Sequence, residues 1–167
     1  LVRADLIVTT GGVSAGAYDT VKAVLSRLGT VEFTKVAMQP GMPQGHGTLG
    51  PDLTPIFTLP GNPVSAYVSF EVFVRPVIRR MLGHERIYRP VVRAVLAEPL
   101  ASPVGKRQFA RGHLEVEEGR YVVRPAGGQG SHMLGALAKA NALVVVPEDV
   151  TEVKPGTAVA VLRLDEG

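Results

Sequence analysis

Two glycine-rich stretches, TTGGVSAG at 9–16 and LPGNPVSA at 59–66, each join a short apolar run to a segment of helical character. Glycines between a strand and a helix let main-chain N–H groups approach a ligand closely. The helix N-terminus adds partial positive charge, a combination suited to phosphate or another oxyanion. A single such turn is equally well explained by glycine's freedom at positive φ. Two are more informative, because in a parallel sheet both open at the carboxyl ends of their strands, where α/β ligand sites form. The first turn matches neither GxGxxG with its acidic partner nor a P-loop, since no Lys-Ser/Thr follows its glycines. The candidate contacts are Gly11, Gly12, Ser14 and Gly16 in the first turn and Pro60, Gly61, Asn62 and Ser65 in the second. Ser14 and Ser65 would donate hydroxyl hydrogen bonds; their alternative duties are bonding within the loop and in the first helical turn.

Charged groups near these turns extend the chemistry. Asp19 opens the first helix, where a capping carboxylate is the ordinary role. Beside a phosphate it would instead hold Mg²⁺, which takes one or two carboxylates together with phosphate oxygens and water. Lys35 interrupts the apolar run VEFTKVAMQ and must either snorkel outward or reach an anion. His46 lies in a Gly/Pro-rich stretch, 40–47, read as a loop beside the turns, where it would contact an anion or be solvated. The four histidines, at 46, 84, 113 and 132, lack metal-ligand spacing, which argues against a dedicated transition-metal site. Ser131 reads as the cap of a short helix behind the glycine-rich GGQGS at 127–131, a second helix start that could meet the far end of a ligand or another subunit.

The elements that must position these residues alternate. DLIVTT at 5–10 is a strand, and Val21, Val24, Leu25 and Leu28 have helical spacing up to Gly29. VEFTKVAMQ at 31–39 and TPIFTL at 54–59 are the next strands. Asn62 is a good N-cap and Pro63 suits the first position of a helix running toward Gly83, with Pro76 expected to kink or break it and Arg75, Arg79 and Arg80 at its wetter end. This pattern predicts a mostly parallel sheet. Three strands and two helices are few for one, so the domain is expected to begin upstream of Leu1, which is also no initiator Met. From residue 84 the texture turns to period-two runs, VVRAVLA, HLEVEEGRYVVRP with a turn at Glu118-Gly119, and AVAVLRL, interrupted by a helical stretch at 132–140. These predict antiparallel strands in a small barrel or sandwich. The expected boundary lies between residues 83 and 84.

Composition excludes several classes. The 167 residues are 46% hydrophobic, with no run of 18 uncharged apolar residues and no signal-peptide pattern, so no membrane partner is expected. There is no cysteine, hence no disulfide and no thiolate chemistry, and a cytoplasmic location is compatible. The net charge of +3 is spread thinly, seven Lys/Arg against five Asp/Glu in 1–83 and eleven against ten in 84–167. Despite a pI near 9.4 there is no basic stripe and no aromatic platform, so nucleic acid is not an expected partner.

TTGGVSAGAYDTVK, KVAMQPGMPQG and LPGNPVSA, in this order and spacing, resemble the molybdopterin molybdenumtransferases, the family that includes the C-terminal domain of gephyrin. The match continues through GGQGSH at 127–132 and covers nearly the whole chain; LPGNPVSA is its most specific part. The resemblance implies that residues 1–83 are the later part of a three-layer, molybdopterin-binding α/β domain and residues 84–167 a C-terminal β-barrel domain. It implies molybdenum cofactor biosynthesis: molybdate inserted into adenylylated molybdopterin, with Mg²⁺ or a similar ion and release of AMP. Asp19 and Lys35 fall on family positions implicated in activity, and Ser131 falls in a family loop of the C-terminal domain. The pterin phosphate and adenylate would lie on the glycine turns. The family works as an elongated dimer with shared sites, so a homodimer of the full-length chain is implied and the fragment alone is expected to be inactive.

One departure concerns charge. Where the family reads Lys-Pro-Gly, this chain reads Gln39-Pro40-Gly41, and Met42 stands where some members carry a second lysine. A cation lost near a partly buried anion is worth roughly 1–3 kcal/mol. A pterin-binding or scaffold protein that has kept the fold without the chemistry is therefore the alternative. Two relatives with the same α/β fold, the competence-damage-inducible family and the pterin adenylyltransferases, fit less well because LPGNPVSA is followed here by a β domain.

Overall fold

The computed structural model of the chain describes residues 4–11, 20–28, 30–127 and 134–165. In the first half, β1 (Ile7–Thr10) leads by way of α1 (Thr20–Leu28) to β2 (Glu32–Lys35), a two-residue β3 (Met38–Gln39), β4 (Pro43–Leu49) and β5 (Thr54–Leu59). Four of these strands form one sheet in the order β1-β5-β4-β2. Only β1 and β5 are parallel; β4 is antiparallel to both of its neighbours. The sheet is thus mixed, not mostly parallel as the alternation of strands and helices suggested. The cause is local: β4 and β5 are joined by residues 50–53 alone, and a parallel pair needs a crossover of about a dozen residues or more.

β4 itself corrects the reading of 40–47 as a loop. Its glycines serve close approach between strands more than turning. A Cβ at Gly45 would collide with Thr58 Oγ1 and come within 2.9 Å of the Phe33 ring, and one at Gly47 would run into the Thr30 carbonyl. One face of the sheet packs Ile56, Ile7, Phe33 and Leu49 against Leu25 of α1 and Val31. Of the apolar face read for α1, Leu25 is buried while Val24 and Leu28 are exposed. Gly29, expected to stop this helix, lies outside the described residues.

The second helix starts where the sequence put it but is built in three pieces: α2 (Pro63–Ser69), a π turn (Phe70–Val74) and α3 (Arg75–Met81). Pro76 does not break the run. The widened turn, in which the Arg75 N–H reaches back to the Phe70 carbonyl, comes immediately before the proline ring that would crowd a regular α-turn. Arg75 is buried, against the expectation that it marks a wet end.

The second half holds β6 (Val91–Leu96), β7 (Leu100–Ala101), β8 (Arg107–Glu117), β9 (Arg120–Pro125), α4 (Leu134–Lys139), β10 (Ala142–Val146), β11 (Glu152–Val153) and β12 (Ala158–Arg163). Five strands close a barrel in the order β10-β12-β6-β9-β8, with β8 pairing back to β10. β6 and β9 are parallel, so the barrel is not uniformly antiparallel as its sequence texture implied. The β8–β9 turn falls where expected, with Glu118 (φ 48°) and Gly119 (φ 77°) both in the left-handed region that a two-residue hairpin needs. The barrel interior is filled from Ala94, Leu96, Ala110, Leu114, Val123, Val144 and Val161, among others. β10, from the continuous run ALVVV, is a strand that period-two reading does not single out. Ala142, Val144 and Val146 face the barrel interior, while Leu143 and Val145 pack outward with Met38, Val68 and Phe109.

This last cluster joins the two halves, and β3 reinforces it by pairing in parallel with β8. Gly45→Ala should lower stability by about 1–3 kcal/mol through overpacking, read as a lower urea midpoint at unchanged slope. A midpoint equal to the parent's would show that Phe33 and Thr58 move aside freely.

Candidate functional site

The parallel pairing of β1 and β5 sets Thr10 opposite Leu59, so the two glycine turns leave the sheet side by side. The Gly11 N–H donates to the Leu59 carbonyl at 2.9 Å, and Gly11 takes φ 91°. A Cβ placed on Gly61 would lie 3.2 Å from Gly11 Cα, tighter than side chains ordinarily tolerate, so the two backbones approach as only glycines allow. The expectation that both turns open on one sheet edge holds for Gly11, Pro60, Gly61 and Asn62. Gly12, Ser14, Gly16, Asp19 and Ser131 lie outside the described residues.

The second turn is organised by Asn62. Its Oδ1 accepts from the N–H groups of Val64 at 3.1 Å and Ser65 at 3.4 Å, and its carbonyl accepts from Ala66 N at 2.8 Å. Pro63 has no N–H to offer. The first-turn amides of α2 are therefore committed to the cap, and the donors this turn can turn toward a ligand are those of Gly61 and Asn62. Ser65 is buried in the first turn, whereas Gly61 is exposed.

Register carries Lys35 to the same edge. Lys35 pairs with Pro43, Gly45 with Thr58, and Thr58 with Thr9, which puts Lys35 in the row that leads across β4 and β5 to Gly11. It stands two strands from β5, roughly 10 Å away, with an exposed side chain. Lys35 thus snorkels at the rim. His46 does not belong to a loop by the turns; it is exposed in the middle of β4, paired with Phe57 and Glu32.

Three residues gain interest only from the structure. Thr9 and Thr58 are partners across β1 and β5, just below the glycine turns, and both Oγ1 atoms are buried without a hydrogen-bond partner. Such an atom costs about 1–3 kcal/mol, so an oxygen delivered to it would bind favourably. Arg111 on β8 is buried at 1% exposure, and burial lowers its guanidinium pKa. Its carbonyl accepts from Ala126 N at 2.9 Å, which ties it to the start of the 127–131 stretch. Threonines within a strand and an arginine in the alternating FARGHLEV carry no spacing signal.

The two halves meet at this edge. α4, which follows the 127–131 stretch, packs on α2 and β8. Gln39 lies on β3 opposite Gln108, and the next residues are held down by Gln44, whose Nε2 donates to the Gly41 carbonyl at 2.6 Å and to Ser69 Oγ. Gly41 is in the left-handed region, and a Cβ there would sit 2.6 Å from Ser69 Oγ. Among the described residues no group of three or more His, Asp or Glu side chains could hold a metal ion, and no helix is long and apolar enough to cross a membrane.

Comparison with known proteins agrees with this arrangement. Residues 1–80 match the family described as a probable molybdopterin binding domain, and residues 93–164 match the MoeA C-terminal region, domain IV. Over 98% of the chain, 54% of residues are identical to molybdopterin molybdenumtransferase 2 of Mycobacterium tuberculosis and 45% to molybdopterin molybdenumtransferase 1 of the same organism. A crystal structure of the molybdopterin biosynthesis MoeA protein from Pyrococcus horikosii superposes with a TM-score of 0.78 at 30% identity, covering 98% of this chain and 38% of that one. The chain spans 41% and 40% of the two mycobacterial relatives. It belongs to the molybdopterin molybdenumtransferase family and corresponds to the C-terminal portion of its members.

Asn62→Ala should cost about 1 kcal/mol of stability through loss of the cap, seen as a lower thermal midpoint, with Asn62→Asp recovering most of it. A midpoint that stays put in Asn62→Ala would remove Asn62 as organiser of the second turn.

Proposed function

We propose that this chain supplies the cradle half of a molybdopterin molybdenumtransferase: it binds adenylylated molybdopterin across the Gly11–Gly61 edge while molybdate is inserted and AMP is released. The observation that carries this reading is the contact of the two glycine turns on neighbouring parallel strands, with Lys35 in the same row. Residues 1–83 act as the later part of a molybdopterin-binding domain and residues 84–167 as the C-terminal barrel domain. The N–H groups of Gly61 and Asn62, together with Gly12, Ser14 and Gly16, bind phosphate oxygens, while buried Ser65 supports the first turn of the helix behind them. Lys35 neutralises anionic charge at the rim, and Ser131 adds a ligand contact from the C-terminal half.

Asp19 is the residue that would hold Mg²⁺, which, when bound, would screen the phosphoanhydride. Substrate oxygens and water would share its coordination with the Asp19 carboxylate. The full-length protein works in the cytoplasm as a homodimer whose sites are completed by parts of the chain outside these residues. The second reading, a molybdopterin-binding scaffold without transfer chemistry, is favoured by one observation. The position where the family carries lysine is Gln39, set beside a second neutral carboxamide, Gln108.

Incubating the full-length protein with adenylylated molybdopterin, molybdate and Mg²⁺ should give molybdate-dependent AMP release, and residues 1–167 alone should give none. Binding of the pterin without AMP release from the full-length protein would select the scaffold reading. Gln39→Lys in the full-length protein should raise molybdate affinity about tenfold, in line with a charge gained beside a partly buried anion; an unchanged or weaker affinity would separate Gln39 from the molybdate site.

A further inference from the structure

The segment 84–90, between α3 and β6, is polar and held by polar bonds. Its sequence HERIYRP exposes Tyr88 and buries no large apolar side chain. It is nevertheless fastened along the helix. Arg79 Nε donates to the Arg86 carbonyl at 2.9 Å, Arg75 Nη1 donates to the Ile87 carbonyl at 3.2 Å, and His84 N donates to the Arg79 carbonyl at 3.0 Å. The central bond is a two-pronged ion pair in which Arg89 Nε and Nη2 donate to Glu71 Oε2 and Oε1 at 2.8 and 3.1 Å. Glu71 sits in the π turn with its side chain 4% exposed, and Arg75 Nε lies 3.8 Å from the same carboxylate. From the other side, Arg163 N on β12 donates to the Pro90 carbonyl at 2.9 Å, so the end of the segment is joined to the barrel. A bidentate pair with little solvent around it has a fixed geometry, unlike an exposed surface pair.

We propose that Glu71 is a positioning residue: clamped by Arg89 and Arg75, it locks segment 84–90 along the helix and thereby fixes the barrel, with α4, relative to the Gly11–Gly61 cradle. The helix gives this clasp its reach. Asn62 caps one end of the run at the cradle, α4 packs on α2, and Glu71 takes hold of the connecting segment about two turns further on. That the clasp matters for turnover rests on the reading of cradle and barrel as one site. That it matters for the geometry of the junction does not.

The test uses the full-length protein with Glu71→Gln, which removes the negative charge, and Arg89→Lys, which keeps a positive charge but cannot form the fork. Amide hydrogen exchange should speed up at 84–90 and in α4 (134–139) in Glu71→Gln, more than fivefold, with exchange in β8 and β10 unchanged; Arg89→Lys should give a smaller increase at the same places. Turnover of adenylylated molybdopterin should fall tenfold to a hundredfold in Glu71→Gln, the order expected when reacting groups are displaced by about an ångström, with partial recovery in Arg89→Lys. Unchanged exchange at 84–90 and 134–139, or a uniform rise that includes β8 and β10, would overturn the clasp. Turnover within twofold of the parent despite a loosened segment would overturn its positioning role. Should the parent show no molybdate-dependent AMP release, the exchange measurement still decides the clasp, and the failure belongs to the functional reading.

Discussion

The candidate site depends on one backbone contact, the approach of Gly11 to Gly61 above the parallel pair β1–β5. Parallel pairing sends both chains out of the sheet at the same edge, and absent side chains let the two turns touch. A Cβ at Gly61 would press on Gly11 Cα, so a larger residue there would need the two chains to part by a few tenths of an ångström. The capping of α2 by Asn62 follows from the same geometry. The chain enters the helix directly from the glycine contact, with Asn62 as both the residue after Gly61 and the cap.

Around this contact the two halves are packed as one body. Met38, Val68, Phe109 and Leu143 form a shared apolar cluster, β3 adds a strand from the first half to the barrel, and the helical run 63–81 touches the cradle at one end and the connecting segment near the other. The π turn at Phe70–Val74 lets this run pass Pro76 and places Glu71 inward, where its charge is balanced by Arg89 and Arg75. Tyr67 lies close enough that burial, and then the Glu71 charge, raise its phenol pKa. Burial lowers the pKa of Arg75, while the hydrogen bond to Glu71 raises that of Arg89.

Parts of both halves were legible because their signals are local. Asn62-Pro63 announces a helix start whatever surrounds it, and Glu118-Gly119 announces a hairpin because two consecutive left-handed residues have few other uses. Strand direction was not legible. The run 40–47 has the proline and glycine content of a loop, yet Gly45 and Gly47 are there so that Thr58 and the Thr30 backbone can come close, a requirement that exists only once the neighbouring strands are in place. The parallel β6–β9 pair likewise lies in how the barrel closes, not in the alternation of its strands.

The two glycine-rich stretches, the capped helix behind the second, the change from a helix-containing to a β-rich half, and a family resemblance that the comparisons support could all be read before any fold was known. These are properties of contiguous residues, set by φ preference, capping and periodicity. What depends on the tertiary fold is that Gly11 and Gly61 touch, that Lys35 stands in their row at the rim, that Arg111 is buried opposite Leu143 of the shared cluster, and that Glu71 clasps a segment 18 residues away. Each of these is a contact between distant parts of the chain, and its sign depends on burial: a lysine left at the surface is a solvated charge, while an arginine or glutamate enclosed by the fold must find a partner.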